Sequence, residues 1–140
     1  MALTIEEAER LLAANFAPWV QDLGLRFERI GAEGVAMRLP HSDRLCRMGG
    51  LVSGQALMAF ADTCMVFTVA AALGGFRDMA TASQNTSFFA PAIGQDVLAE
   101  GRALKTGRLL VFGEVTMRLA GEARPIAKAA STYALPPPRA

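Results

Sequence analysis

A chain of 140 residues that is 52% hydrophobic and 19% charged is long enough to bury one core and too apolar for a disordered tail. Its 14 basic and 13 acidic residues leave a net charge of +1 and gather into no basic block, which sets nucleic acid aside as a partner. The opening MALTIEEAERLL is acidic where a secretory signal needs positive charge, and Cys46 and Cys64 lack metal-type spacing, so a single cytoplasmic domain over residues 1–140 with reduced thiols is expected.

In chain order, the first element is a helix. Thr4 followed by Glu7 has capping-box spacing and predicts a short amphipathic helix from Ile5 to about Phe16. Pro18 and Gly24 punctuate the stretch after it. From Leu25 to Leu39, the apolar residues Leu25, Phe27, Val35, Met37 and Leu39 alternate on either side of Gly31-Ala32-Glu33-Gly34, which predicts a hairpin. Pro40 to Gly50 reads as a loop. It carries His41, the only histidine, with no Asp or Cys cluster to complete a metal set.

Gly54 to Leu73 is the centre of the chain. Between Ala56 and Leu73 only Asp62, Thr63 and Thr68 are not apolar. A helix of this kind is either enclosed by protein or crosses a membrane. Crossing would set Asp62 near the middle of the bilayer, at roughly 3 kcal/mol on insertion scales. Strand signals follow instead, so a helix wrapped by a sheet is expected, with no membrane partner.

Those strands are Met79–Phe89, Asp96–Leu104, Leu109–Leu119 and Ile126–Leu135, the middle two with clear alternation. Short turns at Lys105-Thr106-Gly107-Arg108 and Ala120-Gly121-Glu122 predict antiparallel neighbours. Pro136-Pro137-Pro138 stops the last strand. The order gives an α+β fold, a curved antiparallel sheet around one long helix.

That order, with Gly-Leu-Val-Ser-Gly-Gln at 50–55, Asp62, and Thr-Ser-Phe-Phe-Ala-Pro-Ala at 86–92, resembles the hotdog-fold thioesterases, in particular the phenylacetate-degradation type, over roughly Leu25 to Leu135. In that family a Gly-x-Leu/Val-His-Gly-Gly stretch opens the central helix and an acidic residue follows nine positions after the His. Here Ser53 stands at the His position, Gly54 is the first of the paired glycines, and Asp62 falls nine residues after Ser53. Phe88, Pro91, Ala92 and Gly94 match the family's strand ending. Three positions depart from the pattern: Arg47 replaces an Asn, Ser53 the His, and Gln55 the second glycine. The resemblance implies an acyl-CoA thioesterase built as a homodimer, or a dimer of dimers, with coenzyme A as part of the substrate and no separate cofactor. It places Thr81 where a hydroxyl helps hold water or carboxylate, with an ordinary strand residue as the alternative. It also sets the Lys105–Arg108 turn where the phosphates of coenzyme A are often met.

Thioester hydrolysis needs a donor for the developing oxyanion, a base or nucleophile, and an acyl pocket. The helix start at Gly54 offers unpaired backbone N–H groups at the positive end of the macrodipole. A lone Asp62 in an apolar helix is costly unless paired or functional, and is the candidate base or nucleophile. Ser53 either caps the helix or touches substrate, and Gln55 has the same two roles open. Arg47 and Arg108 are either contacts to coenzyme A or solvated cations. Phe60, Met65 and Phe67, with Phe88 and Phe89, are candidates to line an aromatic or aliphatic acyl pocket. No Gly-x-Ser-x-Gly elbow surrounds Ser53.

Gly54 and Asp62 lie roughly 12 Å apart along one helix, too far to meet one carbonyl, so the expected site takes one group from each of two chains. The competing function is a non-catalytic hotdog module that binds acyl-CoA or a related ligand.

Overall fold

The computed structural model describes residues Ala2–Pro137, so Pro138 of the proline tail lies outside the described residues. Helix α1 (Ile5–Asn15) starts at Thr4, whose hydroxyl accepts from the Glu7 N–H at 3.1 Å and donates to the Glu7 carboxylate at 3.0 Å. The short helix α2 (Pro18–Gln21) follows, with proline at its first position where its missing N–H costs nothing. Strands β1 (Arg26–Gly31) and β2 (Gly34–Leu39) form the predicted hairpin, with a register irregularity between Phe27 and Arg29.

The segment expected to be all loop contains more. A single 3-10 turn (Asp43–Leu45) leads into a two-residue strand β3 (Cys46–Arg47), which pairs with β4 (Leu51–Val52). The turn between them needs glycine, because Gly49 and Gly50 take φ of 93° and 76°. Two-residue strands carry too little periodicity to be read from sequence.

Helix α3 (Gly54–Leu73) is capped by Ser53, whose Oγ accepts from the Ala56 N–H at 3.2 Å, and ends on Gly74 at φ 80°. Four long strands complete the chain: β5 (Ala80–Phe88), β6 (Val97–Thr106), β7 (Leu110–Leu119) and β8 (Pro125–Ala134). The six main strands run in the order β1-β2-β6-β7-β8-β5, antiparallel throughout. Strand β6 runs two residues further than its alternation predicts. An irregularity between Ala103 and Lys105 restores the pairing, so Lys105 and Thr106 lie in the strand opposite Phe112 and Val111.

The sheet curves around α3, and two strand glycines let it come close. A Cβ at Gly101 would lie 2.2 Å from Thr68 Oγ1, and one at Gly113 would lie 2.1 Å from Met65 Cε. Inside that wrap Phe60, Met65 and Phe67 are fully buried; Phe16 stacks on Phe67 at 5.5 Å and Phe27 meets it edge-on at 4.7 Å. These three α3 residues are core, which corrects the expectation that they line an acyl pocket; when a helix is apolar all round, sequence cannot say which face is open. The Thr63 and Thr68 hydroxyls donate to the carbonyls of Ala59 and Cys64, each at 2.8 Å, so α3 buries them satisfied. Asp62 is the one charge on this helix.

Candidate active site

Asp62 sits half-buried on the side of α3 that faces β8 and β5. Strands β5 and β8 place Thr81 opposite Tyr133, and both hydroxyls reach the same carboxylate oxygen. Thr81 Oγ1 donates to Asp62 Oδ1 at 2.8 Å, and the Tyr133 hydroxyl also hydrogen-bonds Oδ1. The Tyr133 hydroxyl lies 2.8 Å from the Asp62 carbonyl oxygen as well. Tyr133 is 1% exposed; burial, and then the negative charge of Asp62, push its phenol well above the usual tyrosine range and keep it a donor. A carboxylate that is costly in an apolar helix is thus held by two hydroxyls from the sheet.

Gly54 occupies a different place. It lines a cleft of about 510 Å³ together with Arg47, Leu51, Leu57, Phe88 and Phe89. The Phe88 ring lies against it, with Cζ 3.4 Å from where a Gly54 Cβ would stand. One wall of the cleft is fixed by backbone, since Val52 N–H donates to Ala92 O at 2.9 Å and Ser53 N–H to Leu45 O at 2.8 Å. Arg47 is the one charged residue of this lining; it is exposed, and its guanidinium makes a long contact, 3.5 Å, to Met48 O. Of the expected pocket residues, Phe88 and Phe89 are here.

Of the remaining predicted site residues, Ser53 caps α3 and Gln55 is exposed in its first turn. Arg108 is exposed in the β6–β7 turn, just beyond the sheet row Thr106–Val111–Tyr133–Thr81, at the Asp62 end of the sheet. The structure therefore gathers Asp62 and Thr81 in one place and Gly54 and Arg47 in another, and the cleft beside Gly54 is not lined by Asp62 or Thr81. Cys64 is buried and its thiol is pushed up to about 12 by that burial, which leaves it protonated and inert.

Tyr133 was not among the residues singled out from sequence. Strand periodicity held the signal: Ala127, Ala129, Ser131 and Tyr133 share one face of β8 and are all buried. A large phenol on an inward face needs a partner for its hydroxyl.

The model of the thioesterase superfamily matches residues 49–126, more than half of the chain. The chain belongs to the thioesterase superfamily. A candidate thioesterase from Silicibacter sp. TM1040 is 30% identical to this superfamily member, with a TM-score of 0.84 over 96% of this chain and 93% of that one. Zebrafish thioesterase superfamily member 2 superposes with a TM-score of 0.85 at 20% identity, over 96% of this chain and 100% of that one. A thioesterase from Haemophilus influenzae gives 0.85 at 18% identity, over 97% and 92%. At such identities the last two speak to the fold, which is the hotdog arrangement of a curved sheet around one helix. No curated protein matches the chain in sequence. Thioester hydrolysis is the general reaction class that membership of the thioesterase superfamily supports.

Proposed function

We propose that this protein hydrolyses acyl-CoA thioesters, with an aromatic or medium-chain acyl group, at two equivalent sites of a cytoplasmic homodimer. Asp62 of one chain acts as general base on water or attacks directly, and the helix start at the partner's Gly54 stabilises the oxyanion. Coenzyme A arrives as part of the substrate and no separate cofactor is used.

One observation carries this reading. The two groups lie at opposite ends of β5, because Thr81 near its start bonds Asp62 and Phe88 at its end packs on Gly54. Seven residues of strand, roughly 23 Å, separate those ends. β5 is also an edge of the sheet, nine residues with no charge and no proline to discourage pairing. Antiparallel pairing of two such edges about a two-fold axis brings the Thr81 end of one chain to the Phe88 end of the other. Each Asp62 then approaches the partner's Gly54. In this frame the cleft beside Gly54, with Phe88 and Phe89, receives part of the substrate. The exposed cations Arg47 and Arg108 would meet its anionic groups, and the exposed Gln55 in the first turn of α3 would be a further contact.

The test is turnover of benzoyl-, phenylacetyl- and medium-chain acyl-CoAs, followed with a thiol reagent. Wild-type protein is expected to turn over at least one of them, and Asp62→Asn to lose about 10³-fold in kcat. The departures at Arg47, Ser53 and Gln55, with the Ser53 hydroxyl committed to capping, favour a second reading as a binding module. Tight binding of an acyl-CoA with no turnover by either protein would establish that reading instead.

A further inference from the structure

The hydroxyls of Thr81 and Tyr133 converge on the same oxygen, Oδ1, of the Asp62 carboxylate. A carboxylate has two oxygens, each able to accept about two hydrogen bonds. Two donors on Oδ1 occupy that oxygen, fix the rotation of the carboxylate about its bond to Cβ, and leave Oδ2 as the one with free lone pairs. The donors come from neighbouring strands at one register position. Thr81 is exposed and Tyr133 is fully buried. The buried donor sits under the helix, also within 2.8 Å of the Asp62 carbonyl, where its ring has no freedom to turn away. Its single proton goes to the carboxylate, because a bond to an ionised acceptor is the stronger of the two choices.

We infer that Tyr133 is a positioning residue for the thioesterase reaction, holding Asp62 Oδ1 from beneath so that Oδ2 is the oxygen presented to water or to the thioester carbonyl. This rests on the reading of Asp62 as the base or nucleophile. No covalent step is required of Tyr133: it keeps its proton throughout, and the proton or acyl group is exchanged at Oδ2.

Tyr133 is the only tyrosine in the chain, which gives the inference a readout apart from activity. Protein labelled with ¹³C at the tyrosine Cζ yields one phenol resonance, and its position reports the hydrogen bond to the carboxylate. The experiment combines that spectrum, in wild-type and Asp62→Asn protein, with the kinetics of Tyr133→Phe. Tyr133→Phe is expected to lower kcat about tenfold with KM held within about twofold, the signature of a reacting group mis-set after substrate is bound. The Cζ resonance is expected to move in Asp62→Asn. Full kcat in Tyr133→Phe, with Asp62→Asn inactive, would overturn the positioning role and leave the proposed activity standing. Full turnover by Asp62→Asn would overturn the role of Asp62 as base or nucleophile, and this inference with it. Should Tyr133→Phe not fold, the spectrum decides alone: a Cζ resonance unmoved in Asp62→Asn overturns the contact.

Discussion

The two ends of β5 are built in different ways. At the Thr81 end, Asp62 is gripped by side chains of its own subunit, one of them fully buried, and its geometry is complete within a single chain. At the Phe88 end, Gly54 is set by backbone hydrogen bonds and a capping serine, while the surroundings are open: Phe88 and Phe89 are 47% and 56% exposed and Met48 is 92% exposed. A carboxylate needs exact partners because its charge must be oriented and stabilised against burial. Backbone amides at a helix start are oriented by the helix itself and need only room for a substrate to approach. One end is therefore a finished tool and the other a half-walled cleft, which is what a site shared by two chains requires of each.

That contrast can be broken at either end. Beyond the loss of Asp62 itself, the larger effect is expected at the open one. Gly54→Ala places its methyl at ordinary contact distance from Phe88, 3.4 Å, so the fold accommodates it without loss of stability. In the proposed reaction the thioester carbonyl approaches the helix start at this point, so kcat/KM is expected to fall about 10- to 100-fold. Thermal melting alongside steady-state kinetics reads both quantities; a drop in activity accompanied by lower stability would point to simple disruption. A smaller effect is expected at the finished end. Thr81→Val keeps shape and removes one of the two donors to Oδ1 while Tyr133 still holds the other. A loss of a few-fold to tenfold in kcat is expected, since a hydrogen bond to a charged group is worth about 1.5–3 kcal/mol and part of that is retained. A loss as large as that of Asp62→Asn would mean that Thr81 does more than hold the carboxylate.

Much of this layout is legible in local sequence. The cap at Thr4, the alternation of β6 and β7 and the unbroken apolar run of α3 each follow from spacing within one element, and the structure has all of them close to the predicted bounds. Asp62 stands out because one carboxylate in an oily helix needs a reason. Tyr133 did not stand out, because its partner lies 71 residues away and is found only when the order β7-β8-β5 and its register are known. The same limit assigned Phe60, Met65 and Phe67 to a pocket. Their helix is apolar on every side, and only the curvature of the sheet decides which residues it encloses. The β3–β4 pair that carries Arg47 depends on two glycine φ values and on bonds to Leu45 and Ala92, none of which has a local pattern.

The sharing of one site by two chains is tested most directly by making mixed pairs. Asp62→Asn and Gly54→Ala chains, co-expressed with different affinity tags and purified through both, give dimers with one doubly altered site and one intact site. The account predicts about half of wild-type activity per pair, far above either variant alone. Activity no greater than the mean of the two separate variants would contradict it.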